Sequence, residues 1–185
     1  MVSPSGWPLR WAPWHDGQPM TNDRANQLGA RIVRLDLIGT AVFLVALAVA
    51  VPLRSQRFAQ FLIGGVSMVL FAIGVATTLW AYTRALERSR IQEVGVANLF
   101  LLTGDTAPKP VGRAMSLALV VQVVAAIGGA WIGVVGLDQG QLNALAFGVL
   151  VPMFGIGMNG VWAARHGSYG PRVGTAVSPI DHEID

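Results

Sequence analysis

The sequence predicts an all-α fold: a polytopic membrane protein with four transmembrane helices in an antiparallel bundle and both termini in the cytoplasm. Three observations carry this reading. Charged residues make up 12% of the 185-residue chain and apolar residues 53%, where a soluble domain holds about 25% charged, so there is too little charge to coat a water-facing surface. Four apolar runs, 37–53, 58–83, 114–137 and 139–164, each hold 17 to 26 residues without a charge except at their boundaries, and about 20 such residues cross a bilayer as a helix. The basic residues then sort by side. With four crossings, the two tails and the central loop hold eleven Lys and Arg and the two short turns hold two, Arg54 and Arg57. Positive charge is retained in the cytoplasm, which sets the N-in/C-in orientation.

Strands do not fit, because a membrane barrel strand alternates in polarity and these runs are apolar on every side. A lone spanning segment must be helical to satisfy its own backbone in lipid. The mean hydropathy of +0.54 agrees.

Residues 1–22 hold Pro4, Pro8, Pro13 and Pro19 among Gly, Ser and Trp and read as a disordered tail. Trp7, Trp11 and Trp14 sit at helical spacing, but Pro8 and Pro13 oppose an interfacial helix there. Met20 is an alternative start. The run after Arg31 and Arg34 reads as a retained first crossing rather than a cleaved signal, since some thirty residues precede the positive region. The membrane domain spans 23–166, with helices at about 35–53, 58–83, 114–137 and 140–164. Thr21 or Asp23 is the candidate cap of the first. Trp80 and Tyr82 mark one end of the second as an aromatic belt. The loop 84–113 carries a candidate interfacial helix at 85–103, whose patch 99–102 is too short to span and is expected to bury against lipid or the bundle. Pro108 and Pro110 are expected to break any helix. Asp138 to Gln141 form the second turn. Residues 167–185 read as a disordered tail.

Small residues let helices approach closely in lipid. Gly129 and Gly133 form a small-xxx-small pair in the third run, and Gly155 and Gly160 lie in the fourth. Packing within one chain is the expected use, a homodimer face through Gly129 and Gly133 the alternative. Pro152 is expected to kink the fourth helix.

The polar residues of the runs form the candidate site. Asp36 opens the first helix at the membrane boundary, Thr77 and Thr78 lie near the cytoplasmic end of the second, Gln122 lies within the third, and Asn159 near the end of the fourth. Each helix thus offers a hydrogen-bonding group in the cytoplasmic half. Two readings follow: a cytoplasm-facing polar vestibule, or hydrogen bonds that fasten the helices together.

No catalytic constellation, cofactor motif or metal-ligand spacing occurs. There is no cysteine, and His15, His166 and His182 are scattered. Twelve arginines stand against one lysine, a bias read as GC-rich and bacterial. The basic residues are not clustered with exposed aromatics, so a nucleic-acid partner is not expected. Four short helices make the chain similar to the small multidrug transporters, which carry an acid within their first membrane helix. The resemblance stops there, because this chain is much longer and Asp36 is placed at a boundary. The expected function is non-enzymatic: an accessory or scaffold subunit in the bacterial cytoplasmic membrane, binding another membrane protein or itself. A small transporter or channel using the polar cluster is the alternative.

Overall fold

The computed structural model describes residues 19–89, 95–104, 106–135 and 143–169, with side chains from Gln27 onward. The described residues contain five α-helices and one 3₁₀ helix: α1 (Pro19–Ala50), α2 (Arg57–Arg88), α3 (Val96–Leu101), α4 (Lys109–Val134), the 3₁₀ helix Ala144–Leu150, and α5 (Pro152–His166). Four segments are long and apolar enough to cross a membrane: Gln27–Ala50, Arg57–Arg88, Lys109–Val134 and Ala144–His166. Outward faces of α2 and α4 present Phe58, Phe61, Val69, Val120, Val124 and Trp131, with Phe61 78% exposed. Such faces suit a hydrocarbon solvent and would be costly in water.

Helix α5 is the centre of the packing. Of its fifteen residues, nine are buried. Its glycines let each neighbour come close. A Cβ on Gly155 would stand 2.6 Å from the Gln122 side chain of α4, and one on Gly160 would stand 2.8 Å from the Phe100 ring and 3.0 Å from Ala81. The tightest approach is between α2 and α5. A Cβ on Gly74 would lie 2.5 Å from the Met153 carbonyl carbon, and one on Gly157 would meet the Thr77 hydroxyl and stand 2.6 Å from the Gly74 carbonyl oxygen. These helices touch backbone to backbone, which only small residues permit. The Phe154 ring fills the space over Gly39 of α1.

Several expected boundaries shift. Helix α1 begins at Pro19, inside the segment read as tail, and stops at Ala50 rather than residue 53. Helix α2 runs to Arg88 and absorbs the start of the supposed loop. The continuous interfacial helix over 85–103 is not formed. In its place α3 is one short helix, ended by Leu102 and Gly104 in the left-handed region at φ 52° and 66°. It buries Leu99 and Leu102 against the bundle. Pro108 and Pro110 do not break a helix but start one: Pro108 is the N-cap and Pro110 lies in the first turn of α4, where a missing N–H costs nothing.

The fourth crossing is not one kinked α-helix over 140–164. Its first seven described helical residues, Ala144–Leu150, are 3₁₀, with Val151 N–H bonded to the Gly148 carbonyl at 3.0 Å and Phe154 N–H to the Val151 carbonyl at 2.8 Å. Pro152 then occupies the first turn of α5. Proline cannot supply the i→i−4 donor there, and the tighter i→i−3 pattern carries the chain past it. The tails at 1–18 and 170–185 and the turn Asp138 to Gln141 lie outside the described residues.

Candidate functional site

The polar residues singled out from the sequence do not gather into one vestibule. They separate into a cluster on α1 and α4, a tether at Asn159, and hydroxyls on α2.

The cluster is built from Asp36, Thr40 and Gln122, all buried. Thr40 lies one turn after Asp36, and its hydroxyl donates to the Asp36 carbonyl at 2.9 Å, the usual back-bond of a threonine within a helix. Gln122 Nε2 donates to Thr40 Oγ1 at 2.7 Å, so the two helices are fastened by side chains. Gln122 also faces the Asp36 carboxyl. Both Asp36 carboxyl oxygens and Gln122 Oε1 are buried without a hydrogen-bond partner. Gln122 Oε1 packs on Gly155, whose missing side chain leaves it room.

Asp36 does not open its helix: α1 begins at Pro19, so the carboxyl stands in mid-helix. Gln122 lies nine residues along α4 from Arg113, and Gly155 ten residues along α5 from Arg165. At 1.5 Å per residue these are about 14 and 15 Å along the helices. Asp36 sits level with both. Arg34, two residues earlier, is exposed, and its long stem lets the charge reach toward the interface. The helix starts well before the uncharged run at residue 37, which is why Asp36 was read as opening it. Among the described residues of the spans, Asp36 is the acid carried into the bundle interior; Glu87 stands at the end of α2 and pairs with Arg84 at 3.0 Å.

Asn159 is occupied elsewhere. Its Nδ2 donates to the Phe100 carbonyl of α3 at 3.0 Å, so it binds the short helix to α5. Asn159→Ala is expected to cost about 0.6 kcal/mol, the average for an interhelical hydrogen bond in membranes, and to loosen α3. Limited proteolysis should then cut within 95–104 faster than in the wild type, while cleavage elsewhere is unchanged. Thr77 Oγ1 bonds within its own helix, to the Ile73 carbonyl at 2.8 Å and the Gly74 carbonyl at 3.0 Å. Thr78 Oγ1 is buried without a partner.

The glycines have neighbours within the chain. Gly129 receives Leu47 of α1, whose Cδ1 lies 2.7 Å from where a Cβ would stand. Gly133 is covered by the Asn143 side chain, whose Nδ2 donates to the Ala130 carbonyl at 3.0 Å. A homodimer face through Gly129 and Gly133 would require displacing both.

The arginine-rich end is capped. Arg88 donates to the Ala164 carbonyl at 3.0 Å and the Gly167 carbonyl at 3.3 Å, and its guanidinium stands 5.1 Å over the Tyr169 ring. Cations at a helix C-terminus are favourable. Tyr169 donates to the Ala163 carbonyl at 3.2 Å, and partial burial pushes its phenol above the ordinary value, with Arg88 opposing.

Sequence reading missed Thr40 and the buried Ser67. The spacing of Thr40 from Asp36 was a usable signal; Ser67 left none. Among the described residues no three His, Cys, Asp or Glu side chains come together as a metal site. No family model, curated protein or solved structure matches the chain.

Proposed function

We propose that this protein is a small non-enzymatic carrier of the bacterial cytoplasmic membrane, antiparallel in its four crossings and with both termini inside, and that Asp36 binds the cation it moves, a proton included. The observation that supports this is the buried Asp36 carboxyl, level with the middle of the bundle and lacking a hydrogen-bond partner. An ionisable group inside a membrane is expensive and is retained chiefly where it handles an ion or proton. Gln122 and Thr40 supply neutral dipoles beside it. The Arg-rich tails and loop support the orientation, and the arginine bias supports the bacterial origin.

The test is flux through purified protein in liposomes under an imposed proton or monovalent-cation gradient, followed with an internal dye. The wild type should dissipate one of these gradients, and Asp36→Asn should fall to the leak of protein-free vesicles. Wild-type flux at that leak with every cation offered would refute the reading. A stoichiometric membrane partner retained in mild detergent would then point to the accessory role.

A further inference from the structure

Trp80, Arg84, Glu87 and Arg88 of α2 and Ala164 and Arg165 of α5 line an open cleft of about 330 Å³ at the arginine-rich end. We propose that this cleft binds the phosphate of an anionic phospholipid headgroup. The inference depends on membrane placement and not on any role of Asp36.

Two guanidiniums converge on one aromatic. Arg165 stands 4.7 Å from the Trp80 ring centroid and Arg84 stands 5.7 Å from it. Trp80 is partly buried against the core and holds both cations by their faces, and a tryptophan near a helix end suits the membrane interface. Guanidiniums stacked in this way keep their edge N–H groups for an oxyanion, and the planar fork matches phosphate. The Glu87 carboxylate is the opposing charge. It pairs with Arg84 at 3.0 Å, but both side chains are more than half exposed, and such a pair contributes at most about 1 kcal/mol. A phosphate can therefore share Arg84 with it.

The end of α5 would ordinarily repel an anion, because its last carbonyls carry the negative end of the helix dipole. Here Arg88 already covers the Ala164 and Gly167 carbonyls. The electrostatic cost of an anion beside the α5 terminus is thus met within the chain. Basic pockets between helices at this depth are the recurring form of anionic headgroup sites.

Native mass spectrometry of the detergent-purified full chain tests the site, with phosphatidylglycerol, phosphatidylcholine and inorganic phosphate as probes. Wild type should retain phosphatidylglycerol over phosphatidylcholine. The Arg84→Gln, Arg165→Gln double variant should bind it at least about tenfold more weakly, since each charge-assisted hydrogen bond contributes about 1.5–3 kcal/mol. Arg113→Gln, on the exposed start of α4, should match the wild type. Displacement by millimolar inorganic phosphate would confirm the phosphate site and give it to a soluble anion instead of lipid. Equal retention of the two lipids by the wild type, or unchanged binding in the double variant, would overturn the proposal. If the double variant does not purify folded, Arg165→Gln alone carries the same comparison.

Discussion

Gly74→Ala is expected to disrupt the bundle, while the same change at Gly64, ten residues earlier on the same helix, leaves it intact. A Cβ at Gly74 would stand 2.5 Å from both the Met153 carbonyl carbon and the Phe154 nitrogen, whereas nothing lies within 4 Å of one at Gly64. The obstruction at Gly74 is backbone, so no side-chain rotation relieves it. Helices α2 and α5 must separate, and the separation also lifts Gly157 from Thr77 and strains the centre of the packing. Overpacking typically costs about 1–3 kcal/mol, and a backbone obstruction belongs at the upper end. At Gly64 the new methyl group meets lipid and removes a glycine from a helix interior, a gain of about 0.5–1 kcal/mol. Thermal unfolding in detergent should show a large loss for Gly74→Ala and none for Gly64→Ala. Equal stability of the two would mean that α2 and α5 do not meet at Gly74.

Asp36→Asn is expected to abolish cation flux while leaving stability at or above that of the wild type. The carboxyl is buried with the Gln122 side chain beside it, and a polar group short of partners away from water is costly in a membrane. Asparagine has the same shape, so no cavity opens. A side chain kept only for packing would lose nothing by this exchange, so the dissociation of function from stability is the informative result. Flux retained by Asp36→Asn would remove the carboxyl from the mechanism. A variant that fails to fold would assign Asp36 to structure.

Much of the fold was legible because lipid imposes a simple rule. A segment apolar on all faces and about twenty residues long must be a helix, and four such runs could be counted without knowing how they pack. The parts that were not legible depend on register between helices, which hydropathy does not carry. Nothing in the run around Gly74 says that it meets Met153. Asp36 was read as opening its helix because the uncharged run begins at Leu37, whereas α1 begins at Pro19. Likewise Asn159 looked like a partner for Gln122, yet α3 folds back and takes its amide. Pro152 was read as a kink within one α-helix, but the chain before it takes 3₁₀ bonding and α5 starts at the proline. The cleft at Trp80 joins residues 85 positions apart, and its arginines had been read only as charges that hold loops inside.

The chain has no cysteine, so single cysteines can be placed without a background. Ser55 lies in the exposed turn between α1 and α2, and Ser168 just beyond α5, both exposed. The most direct measurement is labelling of Ser55→Cys and Ser168→Cys with a membrane-impermeant maleimide in whole cells. Four crossings with both ends inside predict that Ser55→Cys reacts in intact cells and that Ser168→Cys reacts only after the membrane is permeabilised. Labelling of Ser168→Cys in intact cells, or of neither position before permeabilisation, would contradict the topology on which the depth of Asp36 and the lipid cleft both depend.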